Sequence, residues 1–401
     1  MCLHRENRCP HSLWEGNDLM TTSDLRHTVV YRHEKEFAAW PYNHGLWAFP
    51  PAGQPAGLRS DILVGFSRGP CDYSHPDGVR HSTVDARDGE YVLARSTDGG
   101  FSWPAENLVS WGSRATLLAQ LRATPQPARS RADWSSPDFC LTAGFGIPPE
   151  GELDLAYIQW STNRGLDWHA PVVVPTFGFK WVQAKPDFIV RPDGVILLFV
   201  TVRLHGGQPT GHVATEREAS PASRFVAVYA SPDHGETWNY LSSIIATSPD
   251  TGFTNRYYAS PVLLPNGTIL AAMRCQVDAR NAWPEIFASA DGGLSWTFVS
   301  RVSDWGGPTH LSLLSHGRLL AVYGRRSRPY GIRARTSADE GRTWSPELVL
   351  REDGGSWDLG YPRAVELGDG LVFTAYYFNG ANDTVDCQGG VRHIAGTFFT
   401  P

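Results

Sequence analysis

Short apolar runs divided by Gly-centred turns recur along this chain. YVLAR (91–95), FVAVYA (225–230), EIFASA (285–290) and GIRART (331–336) have the length and composition of β-strands. A second pattern reads strand, turn, strand: DFIVRPDGVILLFV (187–200), SPVLLPNGTILAAMR (260–274), LSLLSHGRLLAVYG (311–324) and AVELGDGLVFTAYY (364–377). Their P-D-G, P-N-G and G-D-G centres are hairpin signals.

The first set of runs leads into a repeated octapeptide. Ser96–Trp103 reads STDGGFSW, Ser231–Trp238 SPDHGETW, Ser289–Trp296 SADGGLSW and Ser337–Trp344 SADEGRTW. A fifth copy, STNRGLDW at Ser161–Trp168, carries Asn163 in place of the Asp. The starts of the five copies of S-x-D-x-G-x-[ST]-W lie 65, 70, 58 and 48 residues apart. The Asp side chain accepts hydrogen bonds from nearby backbone N–H groups, the Gly supplies a backbone angle other residues resist, and the Trp anchors the returning strand. Asp98, Asp233, Asp291 and Asp339 are therefore read as turn-forming.

A hairpin followed by an octapeptide hairpin makes a four-stranded unit, and such a unit repeated about an axis is a propeller blade. The count is six: Asp61–Trp111, Phe139–Pro175, Trp181–Ile245, Arg256–Val302, Thr309–Leu350 and Tyr361 onward. The last ends one strand short, at His393–Phe399, and the segment HTVVYR (27–32) is the natural fourth strand. The expectation is an all-β, six-bladed β-propeller over 27–401, closed by pairing of its N- and C-terminal strands, after an extension at 1–26. Two inserts stand out: HGGQPTGHVATEREASPASR (205–224) as a long loop, and Arg114–Asp133, rich in Arg, Ala and Pro.

Composition narrows the function. The 401 residues are 41% hydrophobic and 19% charged, which is globular. The longest apolar runs, such as Val195–Val202, are far short of a membrane span. A net charge of −6 argues against nucleic-acid binding. The first twenty residues have no continuous apolar stretch, so no secretory signal is read and the cytoplasm is the expected compartment. Cys2, Cys9, Cys71, Cys140, Cys275 and Cys387 form no C-x-x-C pair and are expected to be free thiols. Fifteen Trp is a high count, and Trp and Tyr stack on sugar rings.

The octapeptide resembles the Asp-box, or BNR repeat. With the blade count, the chain resembles the sialidase superfamily from about Val29 to Phe399. That resemblance implies that the boxes lie at the blade periphery and that a sugar is the substrate, with no cofactor and no metal. Sialidases use a Tyr nucleophile with a Glu partner, an Asp acid/base and three Arg on the substrate carboxylate. Tyr361 in GYPRAVEL matches the nucleophile's place, and Asp85 and Asp88 lie in the region of the acid/base. The early Arg-Ile-Pro motif is absent, and the usual place of the Glu reads RYYASPVLL. The chain also resembles Asp-box propellers that cleave rhamnose–glucuronate linkages, which place a His near the axis; WPYNHGLWAF makes His44 the matching residue.

Residues at the starts of innermost strands converge on one mouth of a propeller's channel. By that rule the substrate-binding candidates are Lys185, Arg256, Tyr258, His310 and Arg363, together with Arg68, Arg203, Arg274 and Arg325, which end second strands. Each of these last four Arg is either a carboxylate clamp or a salt-bridge partner between blades. His44 is a general acid or base, or a structural His; Tyr361 is a nucleophile, a proton donor or a buried phenol. The loop Asp72–Asp88 concentrates Asp72, His75, Asp77, His81, Asp85 and Asp88; its spacings match no specific metal motif, and it reads as a polar substrate loop or, for most of its residues, a solvated one. The expected activity is cleavage of a terminal glycosidic bond in an acidic glycan. The alternatives are elimination on a uronate-containing glycan and a non-catalytic propeller that binds glycan or protein.

Overall fold

The computed structural model describes residues 25–51, 60–81, 89–123, 131–145, 156–179, 181–203, 224–244, 255–276, 281–368 and 370–401. The loop inserted at 205–223, the candidates Asp85 and Asp88, and the cysteines Cys2 and Cys9 lie outside these residues.

Six antiparallel sheets form six blades. Blade 4 shows the plan, with strands Asn255–Leu263, Ile269–Gln276, Ala282–Ser289 and Thr297–Arg301 paired in chain order. Blade 5 repeats it with Thr309–Leu313, Leu319–Arg325, Gly331–Ser337 and Leu348–Arg351. The second strand of blade 4 is buried along its whole length and that of blade 5 up to Arg325, whereas the fourth strands are mostly half-buried. Blade 6 consists of Gly360–Gly368, Leu371–Phe378 and His393–Phe399, completed by Arg26–Tyr31. Arg26 pairs with Phe398 and Tyr31 with Ile394, so the two termini close the ring and cover an edge.

Blade 1 begins earlier than Asp61. Its innermost strand runs Glu36–Ala39, breaks into the helical turn Pro41–His44 and resumes as Leu46–Phe49. Both halves pair with Asp61–Pro70. The break lacks the strand–Gly–strand pattern, which is why the hairpin pattern does not reveal it. Blade 2 has three strands among the described residues: Cys140–Phe145, Ala156–Ser161 and Val172–Val173. The insert before it forms a helix, Arg114–Ala123, whose Leu117 and Leu121, four apart, are buried with Tyr91 and Tyr157.

The octapeptides behave as their chemistry predicts. Asp291 Oδ1 accepts from the N–H groups of Leu294 (3.1 Å) and Ser295 (2.9 Å), and Oδ2 accepts from Ser295 Oγ at 2.5 Å. Gly293 sits at φ 96°, and its carbonyl accepts from Trp296 Nε1 at 3.2 Å. Each box also reaches the preceding blade. Ser242 of blade 3 donates to Gly293 O (2.5 Å), and Ser300 of blade 4 donates to Gly341 O (2.5 Å).

Candidate active site

Four innermost strands are interrupted at the same level. In blade 4, Tyr258 and Ala259 stand opposite the single residue Met273. In blade 6, Tyr361 and Pro362 stand opposite Tyr376. In blade 3, Ala184–Asp187 separates Trp181–Gln183 from Phe188–Val190, and in blade 1 the turn Pro41–His44 fills the break. A bulge re-aims the side chain it carries. Trp40, Tyr258 and Tyr361 take φ of 65°, 62° and 50°, a left-handed backbone that bulky residues rarely adopt. Such strain persists only where the surrounding structure imposes it, and it concentrates at functional sites.

The re-aimed side chains meet where the innermost strands converge, and Tyr42, Lys185, Tyr361 and Arg363 are all buried there. Ring centres of Tyr42, Tyr258 and Tyr361 form a triangle with sides of 6.1, 6.3 and 5.9 Å. Lys185 Nζ lies 3.4 Å from the Tyr258 ring centre and donates to Asn43 Oδ1 at 2.6 Å. Arg363 donates to Asp187 Oδ1 at 2.6 Å and to the Tyr42 carbonyl at 2.9 Å. Burial pushes the Asp187 carboxyl up, against the pull of Arg363 and Lys185. Burial likewise raises the Tyr42 and Tyr258 phenols well above their ordinary value. His310 Nδ1 accepts from the N–H of Ala364 (3.2 Å), the residue after Arg363, and desolvation with Arg363 keeps its imidazole well below its usual pKa.

A second group borders Tyr361. Arg326 lies over the rings of Tyr361 (5.2 Å) and Trp357 (5.4 Å) and donates to Tyr377 Oη at 2.8 Å. Tyr377 Oη donates to Asp358 Oδ1 at 2.7 Å, and His81 Nδ1 is 2.6 Å from the same oxygen. His44 stands on the turn that carries Tyr42 and Asn43. Its Nε2 is 2.7 Å from Ser67 Oγ and its ring packs on Tyr91 at 4.6 Å, lining a cavity with Trp40, Asn43 and Gln183.

The structure thus brings together Tyr361, Tyr258, Lys185, Arg363, His310 and His44. The remaining arginines have protein partners. Arg68 binds Glu90 (3.1 Å) and the Tyr31 hydroxyl (2.8 Å) at the seam of blades 1 and 6. Arg256 faces Glu285 (3.6 Å), and Arg325 faces Glu347 (3.9 Å). All three ion pairs lie within one blade rather than between blades, because each carboxylate comes from another strand of the same sheet or the turn leading into one. Arg203 lies over Trp181 (5.0 Å) and Arg274 over Tyr257 (5.2 Å), one layer behind Tyr258. Sequence reasoning did not single out Trp40, Tyr42, Asp187, Arg326, Trp357 or Asp358. Trp40 and Tyr42 were legible as neighbours of His44 in WPYNH; Asp358 has no local signal, because its partner His81 is 277 residues away.

Comparison with known proteins agrees with this architecture. A sialidase from Micromonospora viridifaciens is 25% identical over 368 residues, covering 82% of this chain and 53% of the sialidase. The chain therefore spans about half the length of that curated relative. A protein of unknown function from Dyadobacter fermentans superposes with a TM-score of 0.65 at 24% identity, over 93% of this chain and 98% of its own. The Hadza microbial sialidase Hz136 superposes with a TM-score of 0.57 at 17% identity, over 93% and 68%. The BNR repeat-like domain matches residues 141–353. With five octapeptide boxes in phase with six blades, the chain belongs to the family of BNR repeat-like domain proteins, within the sialidase superfamily of β-propellers.

Proposed function

We propose that the protein is a glycoside-cleaving enzyme that acts on the terminal residue of an acidic glycan, with Tyr361 at the reacting centre. The observation that carries this reading is the bulge that holds Tyr361 at φ 50° on the innermost strand of the closing blade, beside Tyr42, Tyr258 and Arg326. A phenol held at a left-handed backbone angle on an innermost strand, although its side chain is buried, supports a role beyond packing. The aromatic walls suit a sugar ring, and Lys185, Arg363 and Arg326 supply positive charge of which Asp187 neutralises part. The sialidase relative is consistent with an acidic sugar as substrate.

A screen of the purified protein on acidic glycosides and uronate-containing oligosaccharides tests this. Released sugar is expected, and Tyr361→Phe should lower kcat/KM by about 10³-fold while the far-ultraviolet spectrum is kept. Turnover that survives Tyr361→Phe would remove Tyr361 from the reaction. A second reading is elimination on a uronate with His44, which stands on the turn that carries Tyr42 and Asn43, as base. Its mark is ultraviolet absorbance from an unsaturated uronate, abolished by His44→Gln.

A further inference from the structure

We propose that His81, oriented by Asp358, is the residue that gives a proton to the departing sugar oxygen and takes one back from water at this site. The inference rests on the glycoside-cleaving reading above. His81 lies in the loop that follows the second strand of blade 1, and Asp358 directly precedes the innermost strand of blade 6. Two blades thus contribute one carboxylate–imidazole pair, with Nδ1 and Oδ1 2.6 Å apart.

The pair is asymmetric in the way an orienting pair is. The Asp358 side chain is 4% exposed and that of His81 is 23% exposed. Asp358 is held on every side: Tyr377 Oη donates to Oδ1 at 2.7 Å, Arg392 Nε lies 3.4 Å from Oδ2, and Asn379 Nδ2 donates to its carbonyl at 2.7 Å. Burial alone would raise the Asp358 carboxyl, but His81, Arg392 and Arg326 hold it well below the usual carboxylate range. A carboxylate so fixed sets both the tautomer and the orientation of the imidazole that binds it through Nδ1, which leaves Nε2 to exchange protons. Around the imidazole stand Trp40 (5.4 Å), Trp357 (5.8 Å) and Tyr361 (6.1 Å). Trp357 is 42% exposed, an open aromatic face at the rim on which a sugar ring can lie. Among the described residues, the charged and titratable groups facing the pair are Arg326 from the loop after the second strand of blade 5, Arg392 and Tyr377 from blade 6, and Tyr361.

The step balances as follows. The bond between the anomeric carbon and the aglycone oxygen breaks with its electron pair on oxygen, and the protonated imidazole supplies that oxygen's proton from Nε2. The Tyr361 oxygen bonds to the anomeric carbon and its own proton passes to water. In the second half His81, now neutral, takes a proton from a water molecule whose oxygen displaces Tyr361, and the phenolate recovers its proton from solvent. No oxidant, reductant or metal enters.

The test uses two glycosides of one acidic sugar, one with a dinitrophenyl aglycone that departs without a proton and one with an alkyl aglycone that requires one. With His81→Gln, kcat/KM on the alkyl glycoside should fall by about 10²–10³-fold and on the dinitrophenyl glycoside by less than about 10-fold. Asp358→Asn should give a smaller loss. That loss should fall on kcat for the alkyl glycoside, with KM little changed. Near-ultraviolet dichroism checks both variants, and the comparison of the two aglycones with His81→Gln carries the conclusion if Asp358→Asn fails to fold. Equal losses on both aglycones, or none, would overturn the proposal and leave the glycoside-cleaving reading intact. A wild-type protein that cleaves neither glycoside overturns both.

Discussion

The fifth octapeptide shows how one residue's chemistry depends on its neighbour. In the regular boxes a Ser or Thr hydroxyl at the seventh position donates to the Asp at the third, as Ser102 does to Asp98 (2.5 Å). In STNRGLDW both positions are exchanged: Asn163 Nδ2 donates to Asp167 Oδ2 at 2.8 Å, and Asn163 Oδ1 still accepts the Asp167 N–H at 2.9 Å. The hydrogen bond is kept with donor and acceptor reversed. Asn163→Asp, although it restores the repeat, would face one carboxylate with another. It should destabilise the protein by on the order of 1 kcal/mol in urea unfolding, and Asn163→Asp with Asp167→Ser should recover it. Equal stability of the single and double variants would defeat this account. The deviation was visible in the sequence; its compensation required knowing which atoms meet.

At the scale of the element, each of the four regular boxes is a hairpin turn held by a carboxylate. Its Ser295 and Ser289 hydrogen bonds lower the Asp291 carboxyl from 3.8 to about 2, and Thr343 and Ser337 do the same for Asp339. Asp98 and Asp233 are also lowered by such bonds, against their partial desolvation. A depressed folded-state pKa contributes stability that is complete above the unfolded value and is lost as pH falls through the folded one. Stability should therefore drop between about pH 4 and pH 2, read as the thermal midpoint across that range, and Asp291→Asn should flatten the drop. The strands around the boxes were legible because a hairpin's signals are local. The helical turn Pro41–His44 was not, because its cause is the contact of Tyr42 with blades 4 and 6 across the channel, where Tyr42 Oη donates to the carbonyls of Tyr258 (2.8 Å) and Ala259 (3.0 Å).

In the whole molecule the boxes staple blades to one another. Gly100 of blade 1 packs on Phe398 and Phe373 of blade 6, Gly165 of blade 2 on Leu63 of blade 1, and Gly235 of blade 3 on Trp134 before blade 2. Blades 4 and 5 make the hydrogen-bonded seams already described. Blade 6 has no box; Ser315 of blade 5 bonds Glu366 of blade 6 instead, at 2.7 and 2.8 Å. Closure is left to Arg26–Tyr31. Deleting residues 1–31 should expose the edge of His393–Phe399, lower the unfolding midpoint and produce concentration-dependent oligomers on size-exclusion chromatography. A truncated chain that stays monomeric at unchanged stability would show that the closing strand is dispensable.

The amino-acid sequence by itself determined the blades, their number, the box turns and the terminal strand that closes the ring. Each is written in residues a few positions apart, where backbone hydrogen bonding and hydrophobic alternation act. It also pointed to Tyr361, Tyr258, Lys185, Arg363, His310 and His44, because strand starts converge in any propeller. Only the tertiary structure decided which arginines are committed to carboxylates of the protein, as Arg68 is to Glu90 and Arg256 to Glu285. It alone revealed Asp187 beneath Arg363 and Asp358 behind His81. The physical reason is common to all of these: a charge is neutralised by whatever lies within a few ångströms, and in a ring of six blades that neighbour is set by strand pairing and closure rather than by distance along the chain.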